Sequence, residues 1–480
     1  MASDKPYCAC ATPPGVSGIA LIRMAGDGAS TVADRVFVLR RAALGAKSVS
    51  EMQGYTVAYG HIVHPETHKI IDEVMLTRFT APHSYTGEDA IEISCHGGTA
   101  VRQEILRVLL LAGARMALPG EFTRKAFAAG KIDLTQAESV MDVIAADSAM
   151  ALEAAESQLM GTVKKEVRRI SSSIYAVFAA MEMMVEFPHE EEYPQDDEKQ
   201  EAALQAILHD MDMLIGTFSQ GRILKEKMTT VLVGVPNSGK SSLLNRIAGF
   251  ERAIVTSVPG TTRDTLEVDT TMGGVPIRLI DTAGIRGTED EVEAIGVNRA
   301  KKATGEADIV FWLVSSENFR LEEHEEMIGD LAKLSKNTKL GLLISKSDTG
   351  SNEANDAVQK AILSSFAGIE DAHDISFIQN VSATTGEGID AMCDMVKAVY
   401  DALGVGHGQE VIITSERHYE RLRAAQEHVK EALRVLSHGE PKEIVCLLLR
   451  TAMEEIGEIT GDSVSEKLVD TIFSRFCIGK

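Results

Sequence analysis

The pattern of apolar and polar positions divides this chain into three kinds of region. In residues 1 to about 120, short apolar runs that end at glycine, proline or histidine turns predict strands at 18–24, 57–63, 73–79 and 90–95. From 122 to 217, and again from about 391 to 475, apolar residues recur three and four positions apart, as over 134–159. That spacing predicts long amphipathic helices.

Between the two helical regions, continuous apolar runs at 229–233, 277–280 and 340–344, and one just before 381, each lead into a polar or glycine-containing loop. Such runs are typical of buried strands. The acidic stretch 186–201, interrupted by Pro188 and Pro194, predicts a turn between helices.

Composition and charge narrow the class of protein. A chain of 480 residues with a net charge of −23 can form about three domains, and it is unsuited to coating nucleic acid non-specifically. Local basic segments at 164–169 and 416–423 leave RNA binding open, although such runs are also typical of solvated helix faces. Six scattered cysteines and no apolar run of about 18 residues predict a cytoplasmic protein with reduced thiols and no membrane partner. Cys8 and Cys10 fit an N-terminal strand, with metal binding as the alternative.

The sequence GVPNSGKSSLLN at 234–245 follows one of the apolar runs and opens a helical pattern. Gly234 and Gly239 allow turns through which backbone N–H groups converge on phosphate at a helix start. Lys240 can reach the β- and γ-phosphates, and the hydroxyl of Ser241 can bind Mg²⁺. We therefore predict a phosphate-binding P-loop.

Four more motifs occur in the order that a GTP site requires. DTAG at 281–284 offers Asp281 to Mg²⁺ through water, and in TSVPGTTRD at 256–264 Thr262 can complete the Mg²⁺ shell. SKSD at 345–348 offers Asp348 to guanine, and VSATTGEGI at 381–389 offers backbone to the guanine O6. The predicted GTP-binding residues are Asn237, Ser238, Gly239, Lys240, Ser241, Ser242, Thr256, Thr261, Thr262, Asp281, Thr282, Ala283, Gly284, Lys346, Asp348, Ser382 and Ala383.

These five elements resemble the G domain of translation-factor-like GTPases, which implies a doubly wound α/β sheet. Ser345 replaces the asparagine that ties the base-reading loop to the P-loop in that family, so we expect retained specificity and lower nucleotide affinity. The predicted fold is multidomain: an α+β N-terminal domain (1–121), an all-α helical domain in two parts (122–221 and 390–480), and an inserted α/β Ras-like P-loop GTPase domain (222–389).

The rest of the chain resembles one family. PGEFTRKAFAAGKIDLTQAESVMDVI at 119–144, FCIGK at 476–480, ATPPGVSGIALIR at 11–23 and SYTGEDAIEISCHGG at 84–98 are similar to the tRNA wobble-uridine modification GTPases, MnmE or TrmE. The resemblance implies a homodimer that binds 5-formyl-tetrahydrofolate, and an FAD-containing GidA/MnmG-type partner in a heterotetramer. It also implies that an aminomethyl or carboxymethylaminomethyl group is added to C5 of the anticodon wobble uridine of tRNA.

By position in the matching motifs, the resemblance implies that Arg23, Glu88, Lys131 and Lys480 bind the folate. Cations suit the folate carboxylates, and Glu88 can accept hydrogen bonds from the pterin. For each of them an ordinary surface charge is the less favoured alternative. Cys477 lies inside FCIGK and is implied in the modification reaction, with a small buried residue near a helix end as the alternative.

The residue after the glycine of DTAG is Ile285, where small GTPases hold a water-orienting glutamine. The family resemblance implies instead that two G domains dimerise around K⁺. Glu293, in DEVEAIG at 290–296, is expected to position the water, and Arg263, Asp264 and Arg286 to link loops across the dimer; a solvated segment is the alternative. The expected K⁺ ligands are Asn237, Thr256, Val258 and Thr261, all through oxygen.

Two other functions compete with a GTPase that gates RNA modification. A ribosome-assembly or translation-associated GTPase, acting as a switch without covalent chemistry, shares the hydrophobic residue at position 285 but lacks the folate-like motifs and FCIGK. A metabolic folate enzyme with a vestigial G domain is disfavoured, because all five nucleotide elements are present with only Ser345 altered.

Overall fold

The computed structural model describes residues 5–42, 45–186, 196–250, 266–281, 304–305, 307–317, 319–335, 338–369, 371–403 and 411–480. The chain separates into two compact units. The first comprises Met1–Met141, Leu159–Val167 and Met453–Lys480, and the second comprises Asp142–Gln158 and Arg168–Ala452. Each unit therefore gathers segments that are far apart in sequence. The domain boundaries drawn from the sequence stay a prediction.

A mixed sheet forms the centre of the first unit. Within the described residues its strands follow the order β3-β4-β5-β6-β2-β1-β7, and neighbours are antiparallel except for the parallel pair β1 and β7. The strands predicted from apolar runs are confirmed, although β5 begins three residues earlier than expected. The strands are β1 Tyr7–Cys10, β2 Ser17–Ala25, β3 Phe37–Ala42, β4 Thr56–Val63, β5 Ile70–Phe79, β6 Ala90–Gly97 and β7 Arg115–Met116.

Two helices, Ala29–Val36 and Thr99–Leu111, bury apolar residues in the core of this sheet. Their buried positions, such as Ile105, Val108 and Leu109, are spaced three or four residues apart, which puts them on one face of each helix. The sheet and the helices together confirm the predicted α+β class.

The C-terminal helix Glu466–Ser474 also belongs to the first unit. Ser465 caps it by accepting a hydrogen bond from the backbone N–H of Leu468, and the helix packs on Glu121–Ala128. Phe473 and Phe476 join a hydrophobic cluster with Leu134, Ala137 and Val469. This packing places residues 476–480 beside Pro119 and beside Cys10 at the end of β1.

The second unit contains a sheet whose described strands follow the order β13-β12-β11-β8-β10-β9. All neighbours are parallel except β9, which is antiparallel to β10. Hydrophobic clusters cover both faces, as parallel strands require, and the α/β class is confirmed. The strands are β8 Met228–Val233, β9 Leu266–Met272, β10 Val275–Asp281, β11 Ile309–Ser315, β12 Lys339–Ser345 and β13 Ile375–Val381; helices Lys240–Phe250, Asn352–Ala367 and Ile389–Ala402 pack on them.

The predicted helical regions are helical in the described residues. The span 134–159 is nevertheless two helices, Leu134–Ala145 and Ala149–Leu159, because the Ser148 hydroxyl accepts the N–H of Ala151 and starts a new helix. Of the acidic stretch 186–201, Glu186 ends one helix and residues 197–201 begin the next, while 187–195, where the turn was predicted, lie outside the described residues. The remaining helices are Thr162–Glu186, Asp197–Gly216, Phe218–Glu226, Glu325–Leu331, Glu416–Ser437 and Lys442–Thr460.

Candidate functional site

The loop 234–239 connects β8 to the helix Lys240–Phe250 in the second unit. Gly234 has φ 157°, and a Cβ there would lie 2.5 Å from the backbone oxygen of Leu313, so a side chain does not fit. Asn237 and Gly239 have φ of 63° and 94°, in the left-handed region. These angles curl the loop around the start of the helix, where unpaired N–H groups favour an anion.

The side chain of Lys240 points back into this loop and is only 5% exposed as a residue. Its Nζ donates to the backbone oxygens of Gly234 at 2.7 Å and Val235 at 2.8 Å, and lies 3.4 Å from Ser238 Oγ. An ammonium group has three donors and no acceptor. The loop therefore holds a buried positive charge at the point where phosphate oxygens could replace carbonyls.

Ser241 and Asp281 form the next part of the site. Ser241 Oγ donates to Asp281 Oδ2 at 3.0 Å, and Asp281 is fully buried at the end of β10. Hydroxyl and carboxylate oxygens are ligands that suit Mg²⁺, which usually takes one or two carboxylates and completes its shell with water and phosphate oxygens. Within the described residues no cluster of three or more His, Cys, Asp or Glu has metal-binding geometry. A divalent ion held by Ser241 and Asp281 would take its remaining ligands from water and phosphate oxygens.

The end of β12 is fastened to the P-loop. Ser345 Oγ donates to the backbone oxygen of Ser238 at 2.6 Å, and both residues are buried. The serine hydroxyl thus makes the bond that the replacement of asparagine was expected to remove. This contact takes away the physical reason for expecting lower nucleotide affinity.

The two loops predicted to read the base lie side by side. Ser347 donates its backbone N–H to Val381 O at 3.2 Å and its hydroxyl to Glu387 Oε2 at 2.7 Å. Ser382 is buried and donates its N–H to Glu387 O at 3.0 Å, which closes the 382–387 loop. Ala383 follows Ser382 in that loop, and Asp348, which follows Ser347 in the other loop, is exposed. A carboxylate and backbone N–H groups there could pair with the edge of a base.

Lys346 has φ 58° and forms an ion pair between its Nζ and Glu317 Oε2 at 2.6 Å. The hydrogen bond from Lys346 lowers the pKa of Glu317. Sequence reasoning missed both Glu317, which lies outside the motifs, and Glu387, which lies inside VSATTGEGI but was given no role there.

Parallel pairing explains why these groups meet. The P-loop, Asp281, Ser345 and Ser382 all follow or end strands of one parallel set, whose carboxyl ends share one edge of the sheet. Ser242 lies in the first turn of the helix after the P-loop and is exposed. The predicted site residues that lie outside the described residues are Thr256, Val258, Thr261, Thr262, Arg263, Asp264, Thr282, Ala283, Gly284, Ile285, Arg286 and Glu293.

The first unit brings the C-terminal motif next to Arg23. Residues 119 and 478 form a β-bridge, and the backbone N–H of Phe122 donates to Lys480 O at 3.2 Å. Burial and the nearby charge of Arg23 lower the pKa of Lys480. Arg23 itself pairs with Glu92 at 2.7 Å. Two cations and a carboxylate therefore share this region, and Cys477 is exposed beside it.

Glu88 is held by two groups that sequence reasoning missed. Tyr7 Oη donates to Glu88 Oε2 at 2.7 Å, and Lys125 Nζ donates to Glu88 Oε1 at 2.9 Å. Burial and the carboxylate of Glu88 raise the pKa of Tyr7. Lys125 lies in the 119–144 motif that also contains Lys131. Membership of that motif is the sequence signal that could have identified Lys125. Lys131 is exposed, and a Cβ added at Gly87 would lie 3.8 Å from its Cε.

Comparison with known proteins covers the whole chain. The family description "GTP-binding protein TrmE N-terminus" matches residues 6–131, and "MnmE helical domain" matches residues 134–477. The chain is 37% identical over 477 residues to a tRNA modification GTPase MnmE of Heliobacterium modesticaldum, covering 98% of both chains. It is 38% identical over 478 residues to the protein of that name from Moorella thermoacetica, covering 99% of this chain and 100% of the relative.

The chain belongs to the MnmE family of tRNA modification GTPases. The family resemblance expected from the motifs at 11–23, 84–98, 119–144 and 476–480 is thereby confirmed, and this MnmE-family chain is an enzyme of the GTP-hydrolysing class. The Aquifex aeolicus Era structure bound to GDP and aluminium fluoride is 24% identical with a TM-score of 0.29, covering 42% of this chain and 66% of that one, which adds nothing to the assignment. None of the helices in the described part of the chain has the length and apolarity needed to cross a bilayer.

Proposed function

We propose that this chain is the GTP-hydrolysing subunit of a complex that modifies C5 of the wobble uridine in tRNA with an aminomethyl or carboxymethylaminomethyl group. One observation carries the proposal. A buried Lys240, the Ser241–Asp281 pair and the Ser345 bond to the P-loop lie at one sheet edge in a chain that matches MnmE relatives over its full length. The contacts of Lys240, Ser241 and Ser345 support nucleotide binding. The similarity to MnmE relatives supports a role in tRNA modification.

In this proposal the residues divide the nucleotide between them. Lys240 and the N–H groups of 237–242 bind the phosphates, because the loop already concentrates donors and one buried ammonium there. Ser241 and Thr262 bind Mg²⁺ directly and Asp281 binds it through water. Asp348 accepts hydrogen bonds from guanine, while Ser382 and Ala383 face its O6.

Hydrolysis is proposed to need two G domains and K⁺. Bound K⁺ supplies positive charge to the transferring phosphoryl group, in the way that an arginine finger does elsewhere. The oxygen of Asn237 is exposed in the P-loop and is chemically suited to K⁺, with Thr256, Val258 and Thr261 as further ligands. Glu293 positions the water, Arg263, Asp264 and Arg286 link the loops, and residue 285, an isoleucine, takes no part in this step.

The matched pair Lys240→Ala and Glu293→Ala tests these roles. Lys240→Ala should abolish both GTP binding and hydrolysis, since it removes the charge that faces the phosphates. Glu293→Ala should retain the affinity for a fluorescent GTP analogue and lose hydrolysis by about 10²-fold or more, as expected for a group that acts only in the chemical step. Lys360→Ala, at an exposed site on helix Asn352–Ala367, is the control. Equal loss of binding and hydrolysis in Glu293→Ala would remove Glu293 from the mechanism.

The folate proposal rests on charge in the first unit. Arg23 and Lys480 lie close enough for the charge of Arg23 to lower the pKa of Lys480, and such a pair of cations would be stabilised by a carboxylate-bearing ligand. Lys131 offers a further cation, and Tyr7 and Lys125 fix the carboxylate of Glu88 toward the pterin. When bound, 5-formyl-tetrahydrofolate would supply the one-carbon unit; the chain's own residues bind and orient it.

Partners complete the proposal. We assign a homodimer formed through the N-terminal domain, a heterotetramer with an FAD-containing GidA/MnmG-type protein, and tRNA as the RNA partner, in the cytoplasm. The GTP cycle would move helical segments that carry Cys477 and Lys480 relative to tRNA. Titration of the chain with 5-formyl-tetrahydrofolate by calorimetry, with Arg23→Met as the variant, separates folate binding from GTP binding.

A further inference from the structure

Lys227 occupies an unusual position at the entrance to the nucleotide-binding sheet. It lies between the helix Phe218–Glu226 and β8, the strand that leads into the P-loop. Its φ is 71°, which is uncommon for a residue with a side chain and costs of the order of 1 kcal/mol or more. Its side chain is only 15% exposed. The surrounding contacts must hold this conformation.

Those contacts are two carboxylates from different parts of the chain. Lys227 Nζ forms ion pairs with Asp147 and with Asp269 Oδ2, the latter at 2.7 Å. Burial acts to lower the pKa of Lys227, but hydrogen bonds to the two carboxylates outweigh it and the pKa is raised. The ammonium is therefore charged at neutral pH and shared between the two partners.

On one side the network reaches the nucleotide strands. Asp269 lies on β9, where it is paired in register with Arg278 of β10 and accepts its Nε at 3.1 Å. Three residues further along β10 is Asp281, whose carboxylate accepts the hydroxyl of Ser241 at the start of the P-loop helix. A shift of β10 that accompanies ligand exchange at Ser241 and Asp281 would therefore also move Asp269.

On the other side the network reaches residues 142–158. Asp147 lies in the break between the helices Leu134–Ala145 and Ala149–Leu159. Ala151 and Ala154 of the second helix are buried in the same hydrophobic cluster as the sheet, and a Cβ added at Gly274, in the turn between β9 and β10, would lie 3.7 Å from Met150 Sδ. The segment thus packs directly on the β9–β10 hairpin.

A cavity of about 260 Å³ adjoins this network. It is lined by the ion pairs of Lys225 with Asp142 and of Lys227 with Asp147, and by small side chains of the 142–158 segment. Close-packed interiors rarely tolerate continuous deformation, whereas a segment beside a cavity has space for a second arrangement. The cavity supplies that space beside Asp147, which is one of its lining residues.

We propose that Lys227 is a positioning residue that couples the nucleotide state of the P-loop site to residues 142–158 through its two ion pairs with Asp269 and Asp147. The inference rests on the proposed GTPase function. It adds a route by which the nucleotide state of the G domain affects residues 142–158. Both carboxylates bind the same ammonium, so a displacement of Asp269 that moves Nζ also changes its distance from Asp147. The position of β9 thereby biases the position of the 142–158 segment.

Hydrogen–deuterium exchange on the full chain tests the coupling, with GDP in one sample and a non-hydrolysable GTP analogue in the other. Peptides that cover 142–158 should exchange at different rates in the two states. Lys227→Met should remove most of that difference while the affinity for both nucleotides is kept, a result that a merely structural role would not produce. Lys225→Met is the matched control, because Lys225 pairs with Asp142 at 2.8 Å and not with β9; it should keep the difference.

Asp147→Asn provides a second variant if Lys227→Met does not fold, since it leaves the Lys227–Asp269 pair in place. It too should remove the nucleotide-dependent difference. The coupling is overturned if the native chain hydrolyses GTP but peptides 142–158 exchange equally in both states, or if Lys227→Met or Asp147→Asn keeps the native difference. A native chain that neither binds nor hydrolyses GTP would instead overturn the proposed function, and this inference with it.

Discussion

At the scale of single residues, Ser345 shows how a short side chain can replace a longer one. The motif predicted that the hydrogen bond between this loop and the P-loop is lost. In the structure the Ser345 hydroxyl donates to the backbone oxygen of Ser238 at 2.6 Å. The distance between two strand ends decides which side chain can span it. That distance is set by the packing of β8, β11 and β12, which the motif alone does not contain.

Ser345→Ala should weaken GTP binding roughly tenfold, because a buried acceptor left without its donor costs about 1–3 kcal/mol and loosens the P-loop. The dissociation constant of a fluorescent GTP analogue measures the effect. Ser364→Ala, an exposed serine of the same domain, should leave the constant unchanged. If both variants bind as tightly as the native chain, the Ser345 bond does not support the nucleotide site.

The positive charge of Lys480 lowers the stability of the folded chain. Burial and the charge of Arg23 lower its pKa, so the folded chain binds this proton less tightly than the unfolded chain. Below the folded-state pKa the lysine is charged in both states and the full destabilisation is present. As pH rises from the folded-state pKa toward the ordinary value of 10.5, stability from this group increases.

Lys480→Met should therefore raise the melting temperature at pH 7 and weaken folate binding, a pattern typical of a functional charge. The gain in melting temperature should shrink as the pH approaches 10.5. Thermal unfolding followed by fluorescence across this range provides the measurement, and the exposed Lys467→Met on the C-terminal helix is the control. A Lys480→Met chain that is less stable at pH 7 would contradict this interpretation.

At the scale of elements, apolar runs predicted β2, β4, β5, β6, β8, β10, β12 and β13, because a buried strand leaves a local apolar pattern, whereas β3, β7, β9 and β11 were not predicted. The shared location of the P-loop and the loops after β12 and β13 could also be predicted, because parallel strands bring their carboxyl ends to one edge of the sheet. The break at 146–148 was not predicted, because the apolar spacing continues through it while the capping hydroxyl of Ser148 interrupts the helix. Contacts between distant segments, such as Glu88 with Lys125 or Lys227 with Asp147, depend on tertiary packing and left no local pattern.

The C-terminal motif 476–480 should be disrupted by Gly479→Ala. Gly479 has φ 97°, and a Cβ there would lie 2.5 Å from the backbone oxygen of Cys10, so the tail must move or strain by more than about 1 kcal/mol. We expect loss of folate binding in calorimetry with GTP hydrolysis retained, because the nucleotide residues lie in the other unit. Gly439→Ala is the matched control: φ is 66° but nothing lies within 4 Å of the added Cβ. Unchanged folate binding in Gly479→Ala would separate the tail from that site.

At the scale of the whole molecule, each compact unit is assembled from separated stretches of chain, and the second contains the complete described part of the nucleotide site. The N-terminal and the helical descriptions of the MnmE family both match this chain, over residues 6–131 and 134–477. The net charge of −23 leaves tRNA contacts to local basic segments. The sequence pattern predicted a G domain inserted between two helical segments. Which segments form each compact unit depends on tertiary packing and could not be read from the pattern.

In the proposed function this chain hydrolyses GTP by a K⁺-dependent reaction between two G domains. Steady-state hydrolysis of GTP with Mg²⁺, in matched KCl and NaCl buffers at several protein concentrations, tests it most directly. We expect strong stimulation by KCl, a specific activity that rises with protein concentration, and little hydrolysis of ATP. Equal rates in both salts at every concentration would contradict this mechanism, and would remove Asn237 and the 256–262 loop from the catalytic account.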